Sequence, residues 1–197
     1  EPLCIDNVEA LDGLRAIADL WLVHDRAIRR RADDSIVRVM GGRAIPLRIG
    51  RGLAPVTIPR PDVGDEGLAL GAHLKAAPAC ATSRSWILGA HVGDLSSLET
   101  RTAMENSACD LSRLHGVLSP TAACDRHREL GAAAIAERVG DVVPVPHHEA
   151  HFAALLADSE TDSPAIGIIW DGFGLGDDDT VWGGEFLHWD GSRFGRV

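Results

Sequence analysis

The chain has 197 residues, 45% of them hydrophobic, and a formal charge of −10. That is long enough to bury a core and too apolar for disorder. The acidic balance argues against tight non-specific nucleic-acid binding, and no apolar run approaches the roughly 18 residues a membrane helix needs.

The N-terminal stretch NVEALDGLRAIADLWLV carries Val8, Leu11, Leu14, Ile17, Ala18 and Trp21 at helical spacing, with Asp6 or Asn7 placed to cap it. SIVRVM and AIPLRI flank Gly41-Gly42, which predicts a hairpin. PVTIPRPDVGDEG, rich in proline and glycine, reads as a linker, so residues 1–60 and 61–197 are taken as separate units. Residues 68–100 read as strands, and 97–115 and 129–139 as helices, separated by the apolar stretch GVLSPTAAC. Next comes PVPHHEAHFAALLAD, where FAALLAD favours helix and Pro146 suits a first-turn position. PAIGIIWDG is nearly continuous apolar sequence and predicts a buried strand that opens a new sheet near residue 164. GFGLGDDD reads as a turn, and two strands joined at Asp190-Gly191 follow. The order predicts an α/β or α+β architecture. No CxxC pairs the four cysteines, Cys4, Cys80, Cys109 and Cys124, which argues against a cysteine-rich zinc site; no signal peptide is evident, and the cytoplasm is the default compartment. Glu1-Pro2 opens directly into apolar sequence and FGRV stops within strand-like sequence, so the chain is expected to be a piece of a longer polypeptide.

His147 and His151 lie four apart; on a helix they face the same way, about 6 Å apart along the axis, and can grip one divalent cation. Surface or core-edge histidines are the competing reading. HExxH would need a histidine at 152, where Phe152 stands. Asp171 follows the strand AIGIIW and could add a carboxylate oxygen, or could be a turn aspartate that bonds its own backbone. Gly172, Gly174 and Gly176 allow close approach to a phosphate or simply a hairpin. Arg29, Arg30 and Arg31 precede Ser35, a combination that suits a phosphate or a solvated charge run. Arg48 and Arg51 bracket Gly50, and Lys75 is the sole lysine; each could reach a phosphate or sit in an exposed turn or strand. His91 and Asp94, in AHVGDL, could orient a loop.

Taken in order, IRRRADDSIVRV, RIGRGLAPVTI, LGAHLK, LGAHVGDLSSLET, PHHEAHFAALLAD and WDGFGLGDDDTVWGGEF resemble the HypF family over nearly the whole chain. The resemblance implies the tail of a YrdC-like domain over 1–60. From 61 it implies the start of a carbamoyltransferase domain built from ribonuclease-H-like lobes of the ASKHA type, the second lobe beginning near 164. It implies that carbamoyl phosphate and ATP give carbamoyl-adenylate, and that the carbamoyl group passes to the C-terminal cysteine of a HypE-type partner during nickel–iron hydrogenase maturation. His147, His151 and Asp171 are then expected to hold zinc or iron. Arg31, Ser35, Arg48, Arg51, Lys75, Gly172 and Gly174 are expected to handle nucleotide and phosphate. No nucleic-acid or membrane partner is expected.

Arg29 stands where that family commonly has histidine, Ala32 where cysteine is common, and Leu53 in place of an aromatic residue. AACDRHRELGAAA keeps Cys124, Asp125 and His127 but lacks the proline and tyrosine usual after them. Two other readings stay open: a non-catalytic piece, which by itself would turn over no ATP, and a related transferase acting on a small molecule or tRNA.

Overall fold

The computed structural model describes residues 3–59, 64–118 and 120–197. Helix α1 spans Asn7–Gly13, and the Asp6 carboxylate accepts the Val8 and Glu9 N–H groups at its start. The apolar periodicity predicted a helix about twice as long. It stops because the stripe finds little to pack on: Val8 is 67% exposed and Ile17 80% exposed. A short helix without a buried face is marginal in water. Strands β1 (Ile36–Met40) and β2 (Arg43–Arg48) form the expected hairpin. Gly41 and Gly42 take φ of +56° and +77° at its tip, the left-handed pair that a tight two-residue turn demands.

The next nine elements build the main layer. They are β3 (Val56–Pro59), β4 (Gly67–Ala69), β5 (Ala79–Ala81), β6 (Ser85–Leu88), α2 (Leu98–Leu114), β7 (Thr121–Asp125), α3 (Gly131–Val139), β8 (Asp141–Val145) and α4 (His147–Asp158). Their six strands lie in the order β3-β6-β5-β4-β7-β8. The neighbours from β3 to β4 are antiparallel, and β4, β7 and β8 run parallel. Three meander strands followed by two parallel ones fit the expected ribonuclease-H-like lobe. α2 and α3 cover this sheet through Met104, Ala108, Leu111, Ile135 and Ala136, packed with Leu68, Leu70, Cys80 and Ala122 in one core. The alanines let the helices approach closely, and parallel strands require such cover.

The boundary expected at 60/61 lies outside the described residues. β3, which precedes it in sequence, is hydrogen-bonded to β6, which follows it.

A second sheet begins at β9 (Ala165–Ile169) and continues through β12 (Glu185–Trp189) and β13 (Phe194–Arg196), in the order β13-β12-β9. Between them, β10 (Gly174–Leu175) and β11 (Val181–Trp182) form a small hairpin. Its core is Phe152 of α4 with Ile169, Trp182 and Leu187. The β9 run is not buried on both faces as its composition suggested. Gly167 and Ile169 point inward, while Ile166 and Ile168 are exposed, because α4 covers one face. Among the described residues no helix is long and apolar enough to cross a membrane.

Candidate metal centre

β7 and β8 run parallel, and the chain leaves β8 through Pro146 straight into α4. Pro146 sits at the cap rather than inside the first turn, with φ −59°, and its carbonyl accepts the Ala150 N–H. The first helical turn therefore begins with His147. His151 lies one turn on, with ring centroids 4.9 Å apart. Asp171 comes from the other side, two residues past the end of β9.

One ligand atom from each of His147, His151 and Asp171 lies within 4.8 Å of the others. His147 Nε2 is 3.2 Å from His151 Nε2 and 2.8 Å from Asp171 Oδ2. His151 Nε2 is 3.9 Å from the same oxygen. That oxygen is shut off from solvent, and its polar neighbours are the two imidazoles; with His147 neutral and protonated on Nδ1 it receives no proton from that ring. The other Asp171 oxygen accepts the Gly172 N–H at 2.7 Å. The turn reading and the ligand reading thus apply to different oxygens of one carboxylate.

On its far side, His147 Nδ1 lies 2.5 Å from Asp125 Oδ2. A carboxylate can only accept there, so Nδ1 donates and, in the neutral ring, Nε2 carries a lone pair. Lone pairs and a carboxylate oxygen then converge with too few protons between them. This donor set suits a cation, and three protein ligands leave coordination positions open.

The electrostatics follow from this crowding. The hydrogen bond to Asp125 lifts the His147 pKa above its ordinary value, against the effect of burial. Burial lowers that of His151, and the His147 charge lowers it further. Burial works to raise Asp171, but the Gly172 N–H and the imidazole charges hold it below the usual carboxylate value. A cavity of about 220 Å³, lined by His151, Phe152, Leu155, Gly167, Ile168, Ile169, Trp170 and Asp171, opens beside the cluster.

The remaining expected site residues do not gather in one place. Arg31, Arg48 and Lys75 line a cavity of about 620 Å³ together with Asp33, His91 and Asp94. Arg48 pairs with Asp33. Arg31 bonds Glu9 at 3.2 Å and keeps a second guanidinium nitrogen buried and unpartnered. Lys75 takes φ +52° and donates its backbone N–H to Asp94. Arg51 faces a different cavity and pairs with Asp34 on the surface. The Ser35 hydroxyl donates to the Arg51 carbonyl and accepts the Gly50 N–H, so it ties two backbone segments together. Gly172 and Gly174 flank the histidine cluster. A Cβ on Gly174 would fall 2.6 Å from His148 Cε1 and 2.8 Å from His147 Cβ, whereas one on Gly172 meets nothing within 4 Å.

Two residues stand out beyond the expected set. Asp125 backs His147, and its position at the C-terminal end of a parallel strand was the available signal. His148 is fully buried, with Nε2 at 2.6 Å from the Gly183 carbonyl, and pins α4 to the loop after β11. The four-residue spacing in HHEAH sets His148 apart from the pair, but its burial and its bond to Gly183 are decided by packing.

Two family models match the chain: the HypF Kae1-like domain over residues 63–158, and the second subdomain of the carbamoyltransferase Kae1-like domain over 167–197. The Synechocystis carbamoyltransferase HypF is 39% identical over 191 residues, which is 95% of this chain and 25% of that protein. The Rhizobium leguminosarum carbamoyltransferase HypF is 38% identical over 201 residues, covering 100% of this chain and 26% of that one. A crystal structure of full-length HypF in its phosphate- and nucleotide-bound form superposes with a TM-score of 0.89 at 33% identity, over 100% of this chain and 26% of that one. The chain spans about a quarter of the length of these relatives.

Proposed function

The chain belongs to the HypF family of carbamoyltransferases, and from that premise we propose that it is part of an enzyme of nickel–iron hydrogenase maturation. Carbamoyl phosphate and ATP would give carbamoyl-adenylate, and the carbamoyl group would pass to the C-terminal cysteine of a HypE-type partner. Residues 1–60 are read as the end of a YrdC-like domain and 61–197 as the start of the transferase domain, a division supported by the family match that begins at residue 63. All four cysteines are free thiols, which fits a cytoplasmic setting.

The observation that carries this reading is the convergence of His147, His151 and Asp171 on one point, with a buried Asp171 oxygen facing both imidazoles. A divalent ion, zinc or iron, held there would supply Lewis-acid polarisation of a carbonyl or phosphate oxygen. His147 and His151 orient the site from a rigid helix. The adjoining 220 Å³ cavity offers a place for the reacting group against apolar walls. Arg31, Arg48 and Lys75 would neutralise phosphate charge in the larger cavity. Ser35 would hold the Gly50–Arg51 backbone in place for them, and Arg51 would meet phosphate from the neighbouring cavity. Gly172 leaves room for close approach of a ligand, and Gly174 leaves room for His147 and His148.

In the transfer step the partner's thiolate attacks the carbonyl carbon. A sulfur–carbon bond forms, the bond from carbon to the adenylate oxygen breaks, and AMP leaves with the electron pair. The chain supplies orientation and charge rather than a nucleophile of its own. The direct test exchanges His147 and His151 for alanine in the full-length protein and follows carbamoylation of the partner by mass spectrometry. Loss of the carbamoyl adduct is expected; transfer at the parent rate overturns the assignment.

A further inference from the structure

We propose that Asp125 is a positioning residue of the centre, holding the His147 ring so that Nε2 faces His151 and Asp171 with its lone pair free. The inference rests on the metal reading of those three residues.

Asp125 is itself rigidly held. Its backbone N–H donates to the Gly71 carbonyl after β4, and the next residue, Arg126, donates its N–H to the Val145 carbonyl at the end of β8. The side chain is thus fixed at the tip of the central parallel strand, between both neighbours. It is 4% exposed. Oδ1 accepts the His127 N–H at 2.7 Å, and Oδ2 accepts from His147 Nδ1 at 2.5 Å. Both oxygens therefore serve as acceptors.

That double role makes the residue type specific. An asparagine has one acceptor and one NH₂ group. With its oxygen toward the His127 N–H, its NH₂ faces Nδ1 and favours the ring form protonated on Nε2, which blocks the ligand lone pair. With the amide turned over, NH₂ opposes the His127 N–H. An alanine leaves His147 free to turn or change tautomer. Carboxylates that orient a ligating histidine typically affect metal affinity by roughly 10–100-fold when removed.

The test uses the whole 197-residue chain, with zinc alone as the probe. Zinc affinity is measured by competition with a chromophoric chelator for the parent, Asp125→Asn, Asp125→Ala and Arg126→Ala. Nitrogen-15 NMR of the metal-free chain, at a pH above the ring's titration, reports which His147 nitrogen carries the proton. The parent is expected to show the Nδ1-protonated form. D125N is expected to shift toward the Nε2-protonated form, and both Asp125 variants to lose roughly 10–100-fold in zinc affinity. Arg126 in the same turn pairs its side chain with Asp179 at 2.7 Å; R126A is expected to change zinc affinity no more than about twofold. A parent His147 protonated on Nε2 overturns the inference without any variant. So does a D125N chain that keeps the parent affinity and the Nδ1-protonated form. A parent that shows the Nδ1-protonated form yet binds no zinc leaves Asp125 in its role and sinks the metal reading instead.

Discussion

The histidine cluster and the arginine–lysine cavity are both polar sites, but they balance charge in opposite ways. In the cavity both arginines already have a carboxylate partner: Arg48 pairs with Asp33 and Arg31 bonds Glu9. In the cluster, one Asp171 oxygen is buried and two imidazole nitrogens converge on it. The first arrangement is partly paired, with one Arg31 nitrogen buried and unpartnered, and an anion must compete with Asp33 and Glu9 for its arginines. The second gathers two imidazoles and a carboxylate around one point, where the proposed cation would complete it. A site whose ligand atoms converge on one point states its ligand more sharply than a site whose charges are largely paired with each other.

Substitutions can break or sharpen this contrast. The largest effect is expected for Asp171→Ala, which removes a proposed ligand. Zinc affinity by chelator competition should fall by more than the roughly 10–100-fold typical of supporting residues. Unchanged zinc binding would place the two sites on an equal footing. Arg48→Ala should weaken ATP binding to the full-length protein by about 1.5–3 kcal/mol, measured by calorimetry, because a charge-assisted bond is lost and Asp33 is left unpaired. Zinc affinity should not follow it; a parallel fall would mean the two sites act as one. Gly174→Ala forces a methyl group against both histidines. A loss of about 1–3 kcal/mol in urea-induced unfolding is expected, accompanied by weaker zinc binding. The smallest effect belongs to Arg51→Ala. Its pair with Asp34 is exposed on both sides, and less than about 1 kcal/mol should be lost on unfolding.

Much of the fold is legible in local sequence. The Gly41-Gly42 turn, the two helices over residues 98–114 and 131–139, and the new sheet after residue 164 all follow from patterns a few residues long. Where the pattern misleads, the reason is tertiary. The stripe from Val8 to Trp21 has helical spacing, but helix forms only over Asn7–Gly13, since little packs against the rest. Ile166 and Ile168 look like core in an apolar run, yet they face outward because α4 covers a single side of β9. For Ser35, expected at a phosphate, local sequence does not show that its hydroxyl donates to the Arg51 carbonyl and accepts the Gly50 N–H.

The histidine spacing was settled by sequence alone, because helix geometry relates residues four apart without help from the rest of the chain. The companions of those histidines were not. Asp125 and Asp171 stand on opposite sides of α4 in sequence, and they meet His147 only after two parallel strands dock side by side and a second sheet folds back against the helix. Local periodicity carries no information about such docking. It is decided by which apolar faces bury each other, and in burying them the chain brings the carboxylates to the imidazoles.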